Sequence, residues 1–273
     1  MREELREIVR RGTPRGSSMP VNLGREYLQA RILLALQEAG AMIPLAFQGG
    51  TALRFLFGLP RFSEDLDFAL ERPERAAFDL ERTAERVRVQ LEREGYEMGI
   101  EVRSKAPVQG TVLSFPGLLH ELGLSPHRDQ SFRVRIDVDT QPPAGAGLAT
   151  TIVRRHALLN LQHHDQPSLL AGKLHAVLQR SWAKGRDLFD LFWYLSDPTW
   201  PQPNLVLLNN ALEQTQWKGP RLDASNWRST VRDRVAAMDW KTAKRDVEPF
   251  LEPSPATALF GRESLLQVLS RPR

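Results

Sequence analysis

The chain of 273 residues contains no cysteine. That excludes disulfides, thiolate zinc sites and cysteine nucleophiles. It contains no run of 18 apolar residues, so no membrane-spanning helix is predicted. The opening stretch, Met1 to Arg11, mixes charges and lacks the apolar core that a secretory signal needs. A cytoplasmic location is therefore the default. Internal repeats and low-complexity segments are missing too, which excludes solenoid and array architectures.

What is present is an ordinary globular composition, 41% hydrophobic and 26% charged. The length suits one large domain or two ordinary ones. Charge is unevenly spread. Residues 1–150 hold 20 Lys/Arg against 21 Asp/Glu, and residues 151–273 hold 17 against 12. A near-neutral half beside a basic half suits an enzyme that grips a polyanion such as RNA, although ordinary solubility charge explains the same excess.

The most informative segment runs from Phe47 to Phe68. Gly49 and Gly50 follow a short apolar run, Ile43 to Phe47, and precede a helical pattern from Thr51 to Phe57. A backbone without Cβ lies close to a phosphate oxygen, and the N–H groups of a helix start favour anions. After Gly58 and Pro60 the chain reads as extended. Strand alternation sends Asp65 and Asp67 to one face and Leu66 and Phe68 to the other. Two carboxylates on one face beside a phosphate loop meet the requirement of a two-metal phosphoryl or nucleotidyl transfer site. A third carboxylate is expected from a neighbouring strand. Residues 133–139 alternate with Val134, Ile136 and Val138 inward and Asp137 and Asp139 on the opposite face. A slip of two residues keeps the face, so spacing leaves either acid eligible.

Around that segment, residues 1–20 read as a basic arm, either a short helix or a loose segment, followed by a linker at 12–18. Asn22 is placed to cap a helix running to Ala39. Pro73 opens a charged helix to Glu94, with Leu80, Ala84, Val87 and Leu91 on its packing face. Residues 96–103, 111–115 and 132–139 are strand candidates, giving with the motif strands a mixed sheet of about five strands. The segment 141–148, Gln-Pro-Pro-Ala-Gly-Ala-Gly-Leu, is the strongest boundary signal, and everything after it reads as mostly helical. The expected domains are the arm at 1–20, a catalytic domain at 21–145 and a helical domain at 146–273.

In the later half, Pro167 and Ser168 start a helix whose apolar positions are Leu169, Leu170, Leu174 and Val177. Lys173 falls inside that stripe, so it must snorkel out or pair with an anion. One reading is a structural ion pair with Asp187 or Asp190 on the next helix. The other is a phosphate contact in a cleft between the domains. Arg186 and Asp190 form an i,i+4 pair. Adjacent His163 and His164 lack a third ligand at metal spacing and are expected in solvent. Trp182, Trp217, Trp227 and Trp240 are expected in the core. Arg180, Lys184 and the group Arg232, Arg234, Lys241, Lys244 and Arg245 are candidate RNA contacts or a solvated face.

Gly49-Gly50-Thr51, then Arg61-Phe62-Ser63-Glu64-Asp65-Leu66-Asp67-Phe68, then Lys173-Leu174-His175-Ala176-Val177-Leu178 and Arg186-Asp187-Leu188-Phe189-Asp190-Leu191 together resemble the AbiEii/AbiGii toxin family of nucleotidyltransferases, a branch of the polymerase-β-like superfamily. The resemblance implies an α+β fold, a polymerase-β-like nucleotidyltransferase domain with a mixed sheet followed by an α-helical domain. It implies transfer of NMP from NTP to an RNA acceptor, the tRNA 3′ end in well-understood members, with pyrophosphate released. It assigns metal ligation (Mg2+ or Mn2+) to Asp65, Asp67 and Asp137, and phosphate contacts to Gly49, Gly50, the Thr51 hydroxyl and Lys173, while Ser63 is placed either to bind a phosphate or to cap the strand turn. Asp187 joins the active centre. A cognate antitoxin is the expected protein partner, with no membrane involvement. The family usually carries Lys just before the glycine pair, where this chain has Gln48. Two rival readings use the same residues: nucleotidylation of a protein hydroxyl, and a non-catalytic NTP-binding regulator with Gln48 as its hint.

Overall fold

A computed structural model describes residues 2–12, 18–71, 78–105 and 107–271, with the backbone alone at 104 and 105. The chain divides into two compact units. The first comprises residues 1–57, 62–142 and 150–163, and the second residues 58–61, 143–149 and 164–273.

In the first unit the elements run α1 (Arg2–Arg11), α2 (Met19–Glu38), β1 (Leu45–Gln48), α3 (Gly49–Phe57), β2 (Leu66–Leu70), α4 (Leu80–Arg93), β3 (Gly99–Lys105), β4 (Val108–Phe115), α5 (Leu118–Glu121), β5 (Phe132–Asp139), β6 (Leu148–Arg155) and β7 (Ala157–His164). The seven strands form one mixed sheet in the order β3-β4-β5-β2-β1-β7-β6. β2 is antiparallel to β1 and parallel to β5, and β1 is parallel to β7. The fold is α+β, as the motifs imply.

The sheet holds two more strands than the sequence suggests. β6 and β7 lie past the 141–148 boundary, where the pattern reads as helical. They meet at His156, which adopts φ 58°. That left-handed turn in a non-glycine residue gives no sequence signal of the Asn-Gly kind. Leu159 and Leu161 of β7 are buried while Leu158 is exposed, a period of two visible once the neighbours are known.

Two local expectations change, at α2 and α4, and the arm takes the helical one of its two readings. α2 begins at Met19 rather than after Asn22. Pro20 fits its first turn, and the Asn22 N–H already bonds the Ser18 carbonyl (2.9 Å), so Asn22 sits inside the helix. Residues 2–11 are not loose, because Leu5 and Val9 are buried and the Tyr27 hydroxyl donates to Glu4 (3.0 Å). α4 starts at Leu80, with Asp79 capping the Arg82 N–H, and Pro73 falls outside the described residues. α2 and α4 pack together, α2 also meets β5, and α4 also meets β3 and β4, so a helical layer covers the sheet there.

The second unit is helical: α6 (Gln166–Gln179), α7 (Gly185–Ser196), α8 (Leu205–Gln214), α9 (Trp227–Ala236), α10 (Trp240–Val247), α11 (Pro255–Leu259) and α12 (Arg262–Leu269). Asp165 caps α6 by accepting from the Ser168 N–H (2.9 Å), and Pro167 occupies the first turn. α7 is the hub, packing against α6, α10 and α12. The short segment 58–61 belongs to this unit, through a bridge between Arg61 and Leu251 and a hydrogen bond from the Glu252 N–H to the Pro60 carbonyl (3.1 Å).

Candidate active site

The register of the first unit's sheet sets the acidic residues in order. Asp67 on β2 is paired with Asp137 on β5, with Gln48 on β1 as its other neighbour, and Asp137 is paired with Gly110 on β4. Gly110, Asp137, Asp67 and Gln48 therefore form one row across four strands. Paired positions share a face, so both carboxylates project to the same side.

Two glycines make room for that row. Gly49 adopts φ 78°, and a Cβ there would run into the Asp67 carboxylate. A Cβ on Gly110 would come 2.7 Å from Asp137 Oδ1. Gly49 is thus required twice, for its left-handed backbone and for the space above it. It is also the first residue of α3, which puts helix-start N–H groups beside an acidic side chain.

Asp65 lies just before β2, half-buried, and its carbonyl accepts from the Thr51 hydroxyl. Thr51 is 0% exposed. Its hydroxyl therefore braces the turn that carries Asp65, which corrects the expectation that it faces a phosphate. Ser63 is half-buried, and its carbonyl accepts from the Gln29 amide (3.1 Å).

Burial pushes the Asp137 carboxyl up, opposed by the Arg135 guanidinium at 3.7 Å and reinforced by the charge of Asp65. Asp139 pairs with Ala69, accepts from the Gln141 N–H (2.9 Å) and is likewise raised by burial. The register distinguishes the two acids that spacing leaves equal, since only Asp137 stands beside Asp67. The donors are hard oxygens, and like-charge crowding is the condition that a divalent cation relieves, so the donor set fits Mg2+ or Mn2+. Among the described residues, no group of three or more His, Asp and Glu side chains is already gathered at chelating distance.

In the second unit, Lys173 on α6 reaches both carboxylates of α7. Its ammonium is 3.1 Å from Asp187 Oδ1 and 2.7 Å from Asp190 Oδ2. Arg61 grips Asp190 with two parallel bonds, Nε to Oδ1 at 2.6 Å and Nη2 to Oδ2 at 2.5 Å. Arg61 is 2% exposed and Asp190 0%. Arg180 Nε stands 3.4 Å from Asp187 Oδ2. Burial opposes the Lys173 charge, yet Asp190 and Asp187 raise the group above its ordinary range. Burial likewise opposes ionisation of Asp187, but Lys173, Arg180 and Lys184 bring it down to about 2.

The ion pair of Lys173 with Asp187 or Asp190 that the sequence offers is present, with both acids; Arg61 carried no expected role, and Arg186 was the other expected partner of Asp190. Helical spacing allows that pair, but the structure gives Asp190 to Arg61 and Lys173. The Arg186 guanidinium instead lies over the Phe250 ring (4.5 Å) and 4.0 Å from Asp246. The available signal was Arg61 in the Arg-Phe-Ser motif, a charge beside the apolar Phe62. His163 and His164 are buried rather than solvated, and the His163 ring bonds the Thr151 hydroxyl (2.9 Å).

The fold is similar to that of solved structures. MenT4, a nucleotidyltransferase toxin from Mycobacterium tuberculosis, is similar at 16% identity with a TM-score of 0.64, over 99% of this chain and 88% of that one. JHP933 from Helicobacter pylori is similar at 17% identity with a TM-score of 0.51, over 91% and 88% of the two chains. At these identities the likeness speaks for the fold alone. No curated protein sequence matches the chain. The family model of the nucleotidyl transferase AbiEii toxin of type IV toxin–antitoxin systems matches residues 31–268, and the chain belongs to that family. It is accordingly an NTP-dependent nucleotidyltransferase, and membership implies a cognate antitoxin. Enzymes of this kind use a divalent metal. Among the described residues no helix is long and apolar enough to cross a membrane.

Proposed function

We propose that Asp65, Asp67 and Asp137 hold the divalent cation of this nucleotidyltransferase, and that its acceptor is RNA, specifically the tRNA 3′ end. The supporting observation is the row in which Asp67 and Asp137 stand in register above two glycines that leave their carboxylates room. Mg2+ or Mn2+, when bound, supplies activation of the attacking hydroxyl and neutralisation of the leaving pyrophosphate. The N–H groups of Gly49 and Gly50 hold triphosphate oxygens at the start of α3, and Ser63 adds a polar group on the approach to β2. For Lys173 and Asp187 the reading is that Asp187 and Asp190 keep the ammonium charged and oriented for a phosphate. An RNA acceptor is favoured by family membership and by the excess of 17 Lys/Arg over 12 Asp/Glu in residues 151–273.

The test is incubation of the purified protein with Mg2+ and each α-labelled NTP, in the presence of total tRNA or of cell protein. Label entering tRNA with pyrophosphate release is the expected outcome, lost in Asp67→Ala, together with growth arrest on expression that Asp67→Ala relieves. Label entering protein would replace the acceptor. NTP binding without pyrophosphate release would make the chain a regulator.

A further inference from the structure

Five of the six tryptophans are packed. Trp227 is buried, Trp193 and Trp200 stack edge to face at 4.7 Å, Trp240 meets Phe260 at 5.8 Å, and the Trp217 indole N–H donates to the Pro220 carbonyl (3.1 Å). Trp182 is the exception. It lies in the α6–α7 loop and is 62% exposed, against the expectation that it joins the core. Tryptophan carries a large flat apolar face and a polar N–H, the combination that is enriched where proteins meet their partners.

The surroundings are cationic. The Arg180 guanidinium lies 5.9 Å from the Trp182 ring centre. Lys184, two residues on, is held below its ordinary range by burial and by Arg180, Arg186 and Lys173, despite Asp187. Gly185, the next residue, is pressed against the Ala243 carbonyl of α10, so a Cβ there has no room. That contact brings α10 alongside the loop, and its Lys241, Lys244 and Arg245 are exposed. The acids nearby are already engaged: Asp187 by Lys173 and Arg180, and Asp239 as the cap of the Lys241 and Thr242 N–H groups.

We infer that Trp182, with Arg180, Lys184 and the basic side of α10, is a stacking platform for an unpaired nucleotide of the RNA acceptor. An aromatic face beside cations is the arrangement by which single-stranded nucleic acid is held without base readout, the ring taking the base and the cations the backbone. A protein or lipid partner would also cover an indole, but the Arg180 guanidinium against the ring, with Lys184 two residues on and exposed Lys241, Lys244 and Arg245 on α10, fits a strand carrying one charge per nucleotide. The inference rests on the RNA acceptor proposed above and adds a residue that holds the strand.

The test uses the full chain and a labelled single-stranded RNA oligonucleotide, with Trp182→Ala, Trp182→Phe and Lys244→Gln. Stacking on one base contributes about 1–3 kcal/mol, so Trp182→Ala weakens binding roughly 5- to 150-fold, while Trp182→Phe retains most of it. Melting temperature is unchanged, because the ring is exposed. Lys244→Gln lowers the salt dependence of binding and leaves stacking intact. In the transfer assay, Trp182→Ala raises KM for the RNA and leaves kcat unaltered. Unchanged oligonucleotide affinity and KM in Trp182→Ala, with wild type labelling RNA, would overturn the platform alone. Failure of the wild type to bind or label RNA would overturn both the platform and the RNA acceptor.

Discussion

In the second unit, Asp187 and Asp190 meet Lys173, Arg61 and Arg180 at 2.5–3.4 Å, with Asp190 wholly out of water. In the first, half-buried Asp137 meets Arg135 at 3.7 Å, through a guanidinium that is itself half in solvent, and feels Asp65 as a like charge. The chemistry of the groups is the same. In one place the chain supplies its own cations and the Asp187 carboxyl falls to about 2. In the other the Asp137 carboxyl is pushed upward. A carboxylate already neutralised by well-placed donors holds helices together, and one left in like company has affinity to offer a cation. Counting acids in a sequence does not separate these cases, because the decisive quantity is the distance to the nearest positive charge.

Removing one carboxylate from each unit breaks the comparison most sharply. Asp190→Ala removes the bidentate carboxylate of buried Arg61 and one of the two carboxylates that meet Lys173, and should cost about 3–5 kcal/mol of stability, read from urea unfolding. Asp67→Ala should cost less urea stability than Asp190→Ala and reduce nucleotidyl transfer by ~100-fold, the scale on which metal affinity or activity falls when even an outer-shell partner of a metal site is lost. Mg2+ should raise the melting temperature of wild type but not of Asp67→Ala. Equal stability loss in both variants would erase the distinction.

Acid should act next. Glu26, where His156, Arg54 and Arg155 outweigh burial, and Asp187 are both held near 2. Such groups bind protons more weakly in the folded chain than in the unfolded one. Their stabilisation is complete above about pH 4.5 and is lost as pH falls toward 2, by on the order of 3 kcal/mol for Glu26. Asp137 runs the other way. Its raised carboxyl must lose a proton to bind a cation, so Mg2+ affinity should climb with pH through the acid range, measured by calorimetry. A flat profile would remove Asp137 from the ligand set.

Gly110→Ala is a finer probe. Its Cβ would push on Asp137 Oδ1 from 2.7 Å. Transfer activity should drop roughly tenfold, on the scale of a displaced group in a preorganised site, while thermal stability stays within about 1 kcal/mol. An effect of similar size and opposite sign is expected from Gln48→Lys, which places an ammonium beside Asp67. One charge-assisted contact to a triphosphate should lower KM for NTP by roughly tenfold, with kcat little altered.

The motif unit was legible because its signals are local. Gly49-Gly50, the helix from Thr51 and the alternation of Asp65 to Phe68 all lie within about 20 residues, and each element follows from its own period. β5 was legible for the same reason, with Val134, Ile136 and Val138 alternating against Asp137. β6 and β7 were missed because their turn at His156 carries no turn residue and their pattern is weak until β1 covers one side. Trp182 and the histidine pair were misjudged in opposite directions, since exposure depends on what packs nearby rather than on the residue type.

The sequence alone determined the family, the α+β class and the identity of the acids that carry charge on one strand face, because strand period and short motifs are written into consecutive residues. Only the tertiary structure decided that Asp137 rather than Asp139 stands beside Asp67, that Arg61 takes Asp190 from Arg186, and that Thr51 turns inward. Each of those outcomes depends on a partner far along the chain. Electrostatic and hydrogen-bonding energies are set by separations of a few ångströms, which sequence spacing does not fix between distant segments.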